Sequence, residues 1–172
     1  VTDDGGETWR ERPPGSRRDN HSMATHPDDP GRVYAAAGDG YAESADGGDT
    51  WNHPQDGLAH RYCWSARPDP IDPDVVLLSA ARGPRAAHST PGESYVYRRV
   101  GEGEWTPVGD GFLAGDGLPT GEGVLRYVLA TAGPRTFYAV SNRGLFRSGD
   151  AGASWARLGG DWPERFERQA PA

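Results

Sequence analysis

Short runs of apolar residues alternate with turn residues along the whole chain. The clearest runs are 32–37, 75–79 and 136–140, and each follows a turn rich in glycine, proline or aspartate. Short apolar runs between such turns are typical of β-strands, and no 11-residue stretch has the 3.6-residue period of an amphipathic helix. The pattern therefore predicts an almost entirely β protein, with a helix expected only near residues 163–169.

The runs recur in the same order, which divides the chain into repeating units of four short strands. Proline is confined to the turns, as expected because it cannot donate a hydrogen bond within a sheet. The first three strands of successive units are predicted at 22–25, 32–37 and 41–44, at 63–66, 75–79 and 95–98, and at 127–130, 136–140 and 144–148.

An octapeptide of the pattern [ST]-x-D-x-G-x-[ST]-W follows the third strand of a unit. Three good copies occupy 2–9, 44–51 and 148–155, and a worn copy at 98–105 keeps only the tryptophan and the glycine-rich turn. The tryptophans of the four copies are separated by 42, 54 and 50 residues. A strand-rich repeat of about 40 to 50 residues is typical of the blades of a β-propeller.

Each octapeptide has the chemistry of a tight turn between two strands. Aspartate accepts hydrogen bonds from nearby backbone N–H groups, glycine adopts a positive φ without strain, and tryptophan is expected to bury its ring between neighbouring sheets. A calcium site is disfavoured, because one aspartate per turn cannot supply the roughly six to eight oxygens that calcium prefers. We expect no metal site and interpret these residues as structural: Asp4, Gly6, Trp9, Asp46, Gly48, Trp51, Asp150, Gly152 and Trp155.

The octapeptide resembles the Asp-box, or BNR, repeat of sialidases, related glycoside hydrolases, sortilin-type receptors and a photosystem assembly factor. The resemblance covers residues 2–158. It implies an all-β fold, a β-propeller of four-stranded antiparallel blades, whose octapeptide turns are structural and lie opposite the usual ligand-binding mouth. Sialidases also carry a Phe/Tyr-Arg-Ile-Pro signature. This sequence lacks it, so no catalytic residue is carried over.

The repeat spacing predicts about three and a third blades in one partial propeller domain. We expect a blade end at 1–18, blades at 19–57, 58–110 and 121–160, and a C-terminal tail at 161–172. Propellers close with about four to eight blades, and an open ring would expose unpaired strand edges. This arithmetic favours a fragment of a longer chain, with two chains completing one ring as the alternative.

The composition excludes or disfavours several kinds of site. All 18 basic residues are arginine, which excludes a Schiff-base lysine and a P-loop lysine, and the net charge of -7 disfavours broad nucleic-acid binding. No apolar run reaches the roughly 18 residues of a membrane span. The lone Cys63 lies in an aromatic strand segment, cannot form an internal disulfide or a zinc cluster, and is expected to be a buried, inert thiol.

Blade topology predicts where a ligand would bind. If the first strand of each blade lines the channel, the connections from fourth to first strands and from second to third strands share the mouth. Two Arg-Tyr pairs, at 61–62 and 126–127, and the insertion 82–93 fall in these connections, and long insertions often carry function. We expect the ligand-binding residues to be Arg61, Tyr62, Arg82, His88, Arg126 and Tyr127.

Arginine beside tyrosine suits a carboxylate or polyhydroxylated ligand, because guanidinium binds carboxylate through two parallel hydrogen bonds. The alternative is that these arginines balance neighbouring acids. The sequence favours a ligand- or glycan-binding scaffold with no cofactor and no complete catalytic site in this chain. Two other hypotheses stay open: a sialidase-like, exo-acting glycoside hydrolase whose other site residues lie in further blades, with Asp39 and Glu122 as candidate carboxylates, and a platform for protein–protein assembly.

Overall fold

In a computed structural model, the described part of the chain forms twelve β-strands, one short α-helix and one 3₁₀ helix. The residues that the structure describes are 1–2, 4–109 and 117–171. Asp3 of the first octapeptide, residue 110 at the end of the third predicted segment and residue 172 of the tail lie outside them.

The first sheet contains β1 (Asn20–Thr25), β2 (Val33–Ala37) and β3 (Gly40–Ser44), paired antiparallel in that order. Beyond β3, Glu43 and Asn52 form an isolated antiparallel bridge at the position of a fourth strand. The three strands match the predicted runs closely, because the turns between them are marked by proline and glycine.

The second sheet is larger and includes a helix in the long insertion. The sheet order is β4-β5-β6-β7, and β8 pairs with β6. The helix was not predicted, since five residues are too short to show helical periodicity. The elements are β4 (Tyr62–Pro68), β5 (Val75–Ala81), α1 (Pro84–His88), β6 (Glu93–Val100), β7 (Thr106–Val108) and β8 (Gly121–Glu122).

The third sheet has four antiparallel strands in the order β12-β11-β10-β9. They are β9 (Val128–Thr131), β10 (Phe137–Ser141), β11 (Gly144–Ser148) and β12 (Ala156–Arg157). The helix predicted near the C-terminus is a single 3₁₀ turn at Glu164–Phe166.

The first strands of the three sheets lie side by side. The Ala66 N–H of β4 donates to the Ser22 hydroxyl of β1 at 3.1 Å, and the Leu129 N–H of β9 donates to the Ser65 hydroxyl of β4 at 3.2 Å. Each sheet thus extends outward from its first strand. This is the arrangement of propeller blades around an axis, and it confirms the predicted all-β partial propeller.

Two apolar clusters fill the spaces between successive sheets, and β5 contributes to both. Side chains of a strand alternate between its two faces. Val76 and Leu78 therefore pack toward the first sheet, while Val75 and Leu77 pack toward the third. Burial on both faces explains why β5 is apolar at every position except Ser79, rather than alternating.

The three good octapeptides form the same hydrogen-bonded turn. In the second copy the Ser44 hydroxyl donates to Asp46 at 2.7 Å and accepts from the Gly48 N–H at 2.8 Å. Asp46 also accepts from the backbone N–H and the hydroxyl of Thr50, at 2.8 and 2.6 Å. The Trp51 indole donates to the Gly48 carbonyl at 2.8 Å. The first and third copies repeat these bonds at 2.6 to 3.1 Å.

The tryptophans of these turns are buried to different extents. Trp9 is 72% exposed, whereas Trp51 is partly buried and Trp155 packs against the cluster between the second and third sheets. Each indole N–H donates to a carbonyl of its own turn. The buried tryptophan is Trp105 of the worn copy, which packs edge-on against Tyr41 with ring centroids 4.9 Å apart. Among the four copies, the tryptophan is therefore most buried in the copy that matches the octapeptide pattern least.

Candidate functional site

The octapeptide turns and the predicted mouth lie at opposite ends of the sheets. In the first sheet Thr25, Val33 and Ser44 are register partners at the end with the octapeptide turn. Asn20 and Ala37 pair at the other end, where the chain enters β1 and turns from β2 to β3. The two kinds of connection predicted to form the mouth therefore share one end of the structure.

Five side chains meet at this end, and we call them the mouth cluster. Tyr62 and Trp64 come from β4, while His88 is the last residue of α1. His21 comes from β1 and Arg126 from the segment before β9. The helix begins at Pro84, a favoured first helical residue because its missing N–H would have no partner there.

Two members of the mouth cluster are placed by β-bulges. The register of β1 shifts between Asn20 and Ser22, and the register of β4 shifts between Cys63 and Ser65. His21 and Trp64 are the extra residues, and a bulge redirects its side chain. Their rings lie 4.5 Å apart between centroids, with an interplanar angle of 35°.

His88 joins the other members of the cluster. Its Nε2 lies 2.9 Å from the Tyr62 hydroxyl, and its Nδ1 is hydrogen-bonded to Arg126. The Arg126 guanidinium carbon lies 3.9 Å from the centroid of the Trp64 ring, a cation–π contact. The His88 ring meets Trp64 edge-on, with centroids 4.9 Å apart. The arginine is thus held on one side by an imidazole and on another by an indole.

Burial and charge keep the His88 imidazole and the Tyr62 phenol neutral. Burial lowers the pKa of His88, and the positive charge of Arg126 and the nearby His21 lower it further. Burial also raises the pKa of Tyr62, and the Asp19 carboxylate acts in the same direction. At neutral pH the site therefore presents a neutral imidazole, an intact phenol and a guanidinium.

His21 is oriented by two oxygen atoms. Its Nδ1 lies 2.7 Å from the Cys63 carbonyl, which only accepts, so Nδ1 carries the hydrogen. Its Nε2 faces the Asp19 carboxylate at 3.5 Å. The side chain of Asp19 is itself 71% exposed, so this acid lies at the open side of the cluster.

Three of the six predicted ligand-binding residues come together: Tyr62, His88 and Arg126. Arg61 is exposed and has no hydrogen-bond or ion-pair partner among the described residues. Arg82 is 75% exposed and lies away from the cluster, in an adjacent cleft.

Tyr127 lies in the core between the second and third sheets. It is fully buried, its hydroxyl donates to the Pro119 carbonyl at 2.5 Å, and its ring meets Phe146 edge-on. Both Arg-Tyr pairs are expected at the mouth, but only Tyr62 lies there, and Tyr127 does not. The two pairs differ by one residue in their position relative to the neighbouring strands β4 and β9. Arg61 lies four residues before Ser65, whereas Arg126 lies only three residues before Leu129, the hydrogen-bond partner of Ser65.

A cleft of about 850 Å³ lies beside α1, the helix that ends at His88. Glu93 lies in it, 3.4 Å from Arg82 Nε, and accepts a hydrogen bond from Tyr95 at 3.2 Å. Glu122 of β8 is the direct register partner of Glu93 and lines the same cleft. The structure thus brings Glu122 opposite Glu93, a residue that the sequence did not indicate. The other candidate carboxylate, Asp39, lies 3.5 Å from Arg17 instead.

Sequence reasoning also missed the centre of the cluster. Trp64 falls within the predicted strand 63–66, and His21 is not among the six predicted ligand-binding residues. A β-bulge has no sequence signature comparable to a turn glycine, so nothing in the sequence identified these two positions.

The lone cysteine lies in the core, as the sequence predicts. Cys63 is fully buried, and burial raises the pKa of its thiol to about 12. Within the described part of the chain, no group of three or more histidine, cysteine or acidic residues is arranged to hold a metal ion. In the same residues, no helix has the length and apolar character needed to cross a membrane.

Comparisons with solved structures identify the fold as that of a β-propeller. The chain is similar to an ancestral GH74 enzyme, with 16% identity over 82% of this chain and 18% of that one, at a TM-score of 0.59. It is similar to the GH74 xyloglucanase from Xanthomonas campestris, with 22% identity over 81% and 20% and a TM-score of 0.58. YCF48 from Cyanidioschyzon merolae matches with 18% identity over 82% and 41% and a TM-score of 0.50.

These similarities define the class of protein, a partial β-propeller of antiparallel blades. The chain spans about a fifth of the length of the GH74 chains that it matches. No protein-family model matches the sequence, and no curated protein matches it.

Proposed function

We propose that the chain is part of an Asp-box propeller that binds a carboxylate-bearing or polyhydroxylated ligand, such as a glycan, at the mouth cluster. The three octapeptide turns support the Asp-box assignment, because each makes the same set of side-chain and indole hydrogen bonds. We further propose the blades at 19–57, 58–110 and 121–160 as its repeating units, preceded by the blade end 1–18.

The proposal depends mainly on the hydrogen-bond partners of Arg126. Among the described residues no acidic side chain pairs with it, and its buried Nε has no hydrogen-bond partner. His88 occupies only one of its amino groups, so other N–H groups remain to bind a carboxylate or vicinal hydroxyls. This favours ligand binding over charge balance for Arg126. Arg82, by contrast, already faces Glu93.

The remaining predicted residues have different positions in this proposal. Tyr62 and His88 act with Arg126, and the exposed Arg61 is one residue from Tyr62 and available as a peripheral contact. Arg82 would contribute to the adjacent cleft. Tyr127 would support the site from the core, since burial keeps it from touching a ligand.

Ligand binding is tested by titrating the protein with N-acetylneuraminate, D-glucuronate and D-glucose in saturation-transfer NMR and calorimetry. We expect the acidic sugars to bind more tightly than glucose. Arg126→Ala should weaken their binding at least about tenfold, because a charge-assisted hydrogen-bonded contact contributes more than 1 kcal/mol.

Arg147→Ala is the matched control, because Arg147 is an exposed arginine on β11 outside the mouth cluster. Equal affinity of Arg126→Ala and the wild-type protein for every sugar that binds would contradict the proposed site.

A glycoside hydrolase is the second candidate, favoured by one observation. Glu93 and Glu122 are opposite each other in an antiparallel pair at one cleft, and glycosidases use two carboxylates that flank the scissile bond. Turnover of fluorogenic glycosides, abolished by Glu93→Gln and by Glu122→Gln, would establish it. Absence of turnover by a chain that binds sugar would favour the scaffold. An assembly platform is supported only by the fold shared with YCF48.

A further inference from the structure

His88 lies between the two polar groups of the proposed site, in contact with both. Arg126 bonds to one ring nitrogen, and the Tyr62 hydroxyl lies 2.9 Å from the other. Trp64 touches both His88 and Arg126, so the indole limits their movement relative to each other. His88 is the last residue of a one-turn helix that is separated from β5 by only residues 82 and 83.

The partners of His88 determine its tautomer. Guanidinium has only donors, so Nδ1 must accept the hydrogen bond from Arg126 and carry no hydrogen. A neutral imidazole then carries its hydrogen on Nε2, which donates to the Tyr62 oxygen. Protonation of Nδ1 would set two donors against each other.

We propose that His88 is a positioning residue that orients Tyr62 and Arg126 as paired donors toward an anionic or hydroxyl-rich ligand. Because the Tyr62 oxygen accepts from His88, its own hydrogen is left to donate to a ligand. Because one amino group of Arg126 is hydrogen-bonded to His88, the plane of the guanidinium has a fixed orientation. The inference rests on the proposed binding site, but the tautomer can be measured without any ligand.

The first measurement is the long-range proton–nitrogen correlation spectrum of the isotope-labelled, ligand-free chain at neutral pH. We expect His88 to be neutral with its hydrogen on Nε2, and we expect Nδ1 of His21 to carry a hydrogen. Tyr62→Phe should shift the Nε2 resonance of His88 and leave that of His53 unchanged. A protonated His88, or one with hydrogen on Nδ1, would overturn the inference even if the protein bound sugar.

The second measurement separates orientation from folding. His88→Gln keeps one acceptor and one donor, whereas His88→Ala keeps neither. For whichever of N-acetylneuraminate and D-glucuronate the wild-type protein binds, we expect about tenfold weaker binding by His88→Ala and recovery to within about threefold by His88→Gln. His53→Gln, at an exposed histidine outside the cluster, is the control.

Wild-type affinity in His88→Ala would overturn the positioning inference while leaving the proposed function intact. Absence of binding by the wild-type protein would overturn the proposed function, and the tautomer measurement would still decide whether His88 bridges Arg126 and Tyr62.

Discussion

A single ionised carboxylate organises each good octapeptide turn. The Thr50 hydroxyl and backbone N–H lower the pKa of Asp46 to about 2. At Asp150 burial raises the pKa, but the hydrogen bonds from Ser154 and Ser148 outweigh it and lower the pKa to about 2. Because folding depresses these pKa values, the turns contribute stability above the ordinary carboxylate pKa of 3.8 and lose it as the pH falls through the folded value.

We predict that Asp150→Asn lowers the free energy of unfolding at pH 7 by about 1 kcal/mol, the size of one hydrogen bond in a mostly solvated turn. The difference from wild type should shrink between pH 4 and pH 2, because the wild-type carboxylate becomes protonated there. Urea unfolding across this pH range measures it.

The control for this prediction is Asp49→Asn, which removes an exposed carboxylate from the second turn and should change stability little at any pH. A difference between Asp150→Asn and wild type that stayed constant down to pH 2 would show that the ionised carboxylate is not what stabilises the turn.

At the scale of elements, the same turn fits its surroundings differently in different blades. Glycine at the fifth octapeptide position has φ +97° at Gly48 and +82° at Gly152. A methyl group at Gly152 would lie 2.6 Å from a terminal carbon of Leu77, which is fully buried. At Gly48 the nearest atom would be in the ring of Trp51, at 3.4 Å.

Gly152→Ala should therefore be more destabilising than Gly48→Ala. Both place a side chain at positive φ, which costs about 1–2 kcal/mol, and Gly152→Ala adds overpacking of about 1–3 kcal/mol against β5. Thermal and urea unfolding of the two variants measure the difference. Equal losses would mean that the third turn does not pack against Leu77 as described.

At the scale of the whole molecule, a buried ion pair links the first two sheets. Arg99 of β6 is 4% exposed and is paired with Glu43 of β3. Its guanidinium carbon lies 5.3 Å from the Trp105 ring centroid and 5.8 Å from that of Tyr41. The Tyr41 hydroxyl donates to the same Glu43 carboxylate at 2.8 Å.

We predict that Arg99→Ala destabilises the protein by about 3–5 kcal/mol, because it leaves the partly buried Glu43 without its cation and opens a cavity beside Trp105. Chemical denaturation followed by tryptophan fluorescence measures the loss. Arg147→Ala removes an exposed arginine and should cost under about 0.5 kcal/mol. A loss of less than 1 kcal/mol in Arg99→Ala would show that this pair does not hold the sheets together.

Local chemistry made most of the fold predictable. The turns around β2, β5 and β10 are rich in proline and glycine, and the hydrogen bonds of each octapeptide connect residues no more than four positions apart. The helix α1 escaped prediction because one turn carries no period. The predicted burial was wrong for Trp9, which is 72% exposed, whereas Trp155 does pack against the core.

The amino-acid sequence by itself determined the strands, the repeat and the octapeptide turns, because these depend on neighbouring residues and on period. It also identified Tyr62, His88 and Arg126 as mouth residues. Only the tertiary structure decided that these three meet around Trp64, that Tyr127 is buried, and that Glu122 is opposite Glu93. Those contacts depend on bulges and on the register between sheets, which join residues far apart in the chain.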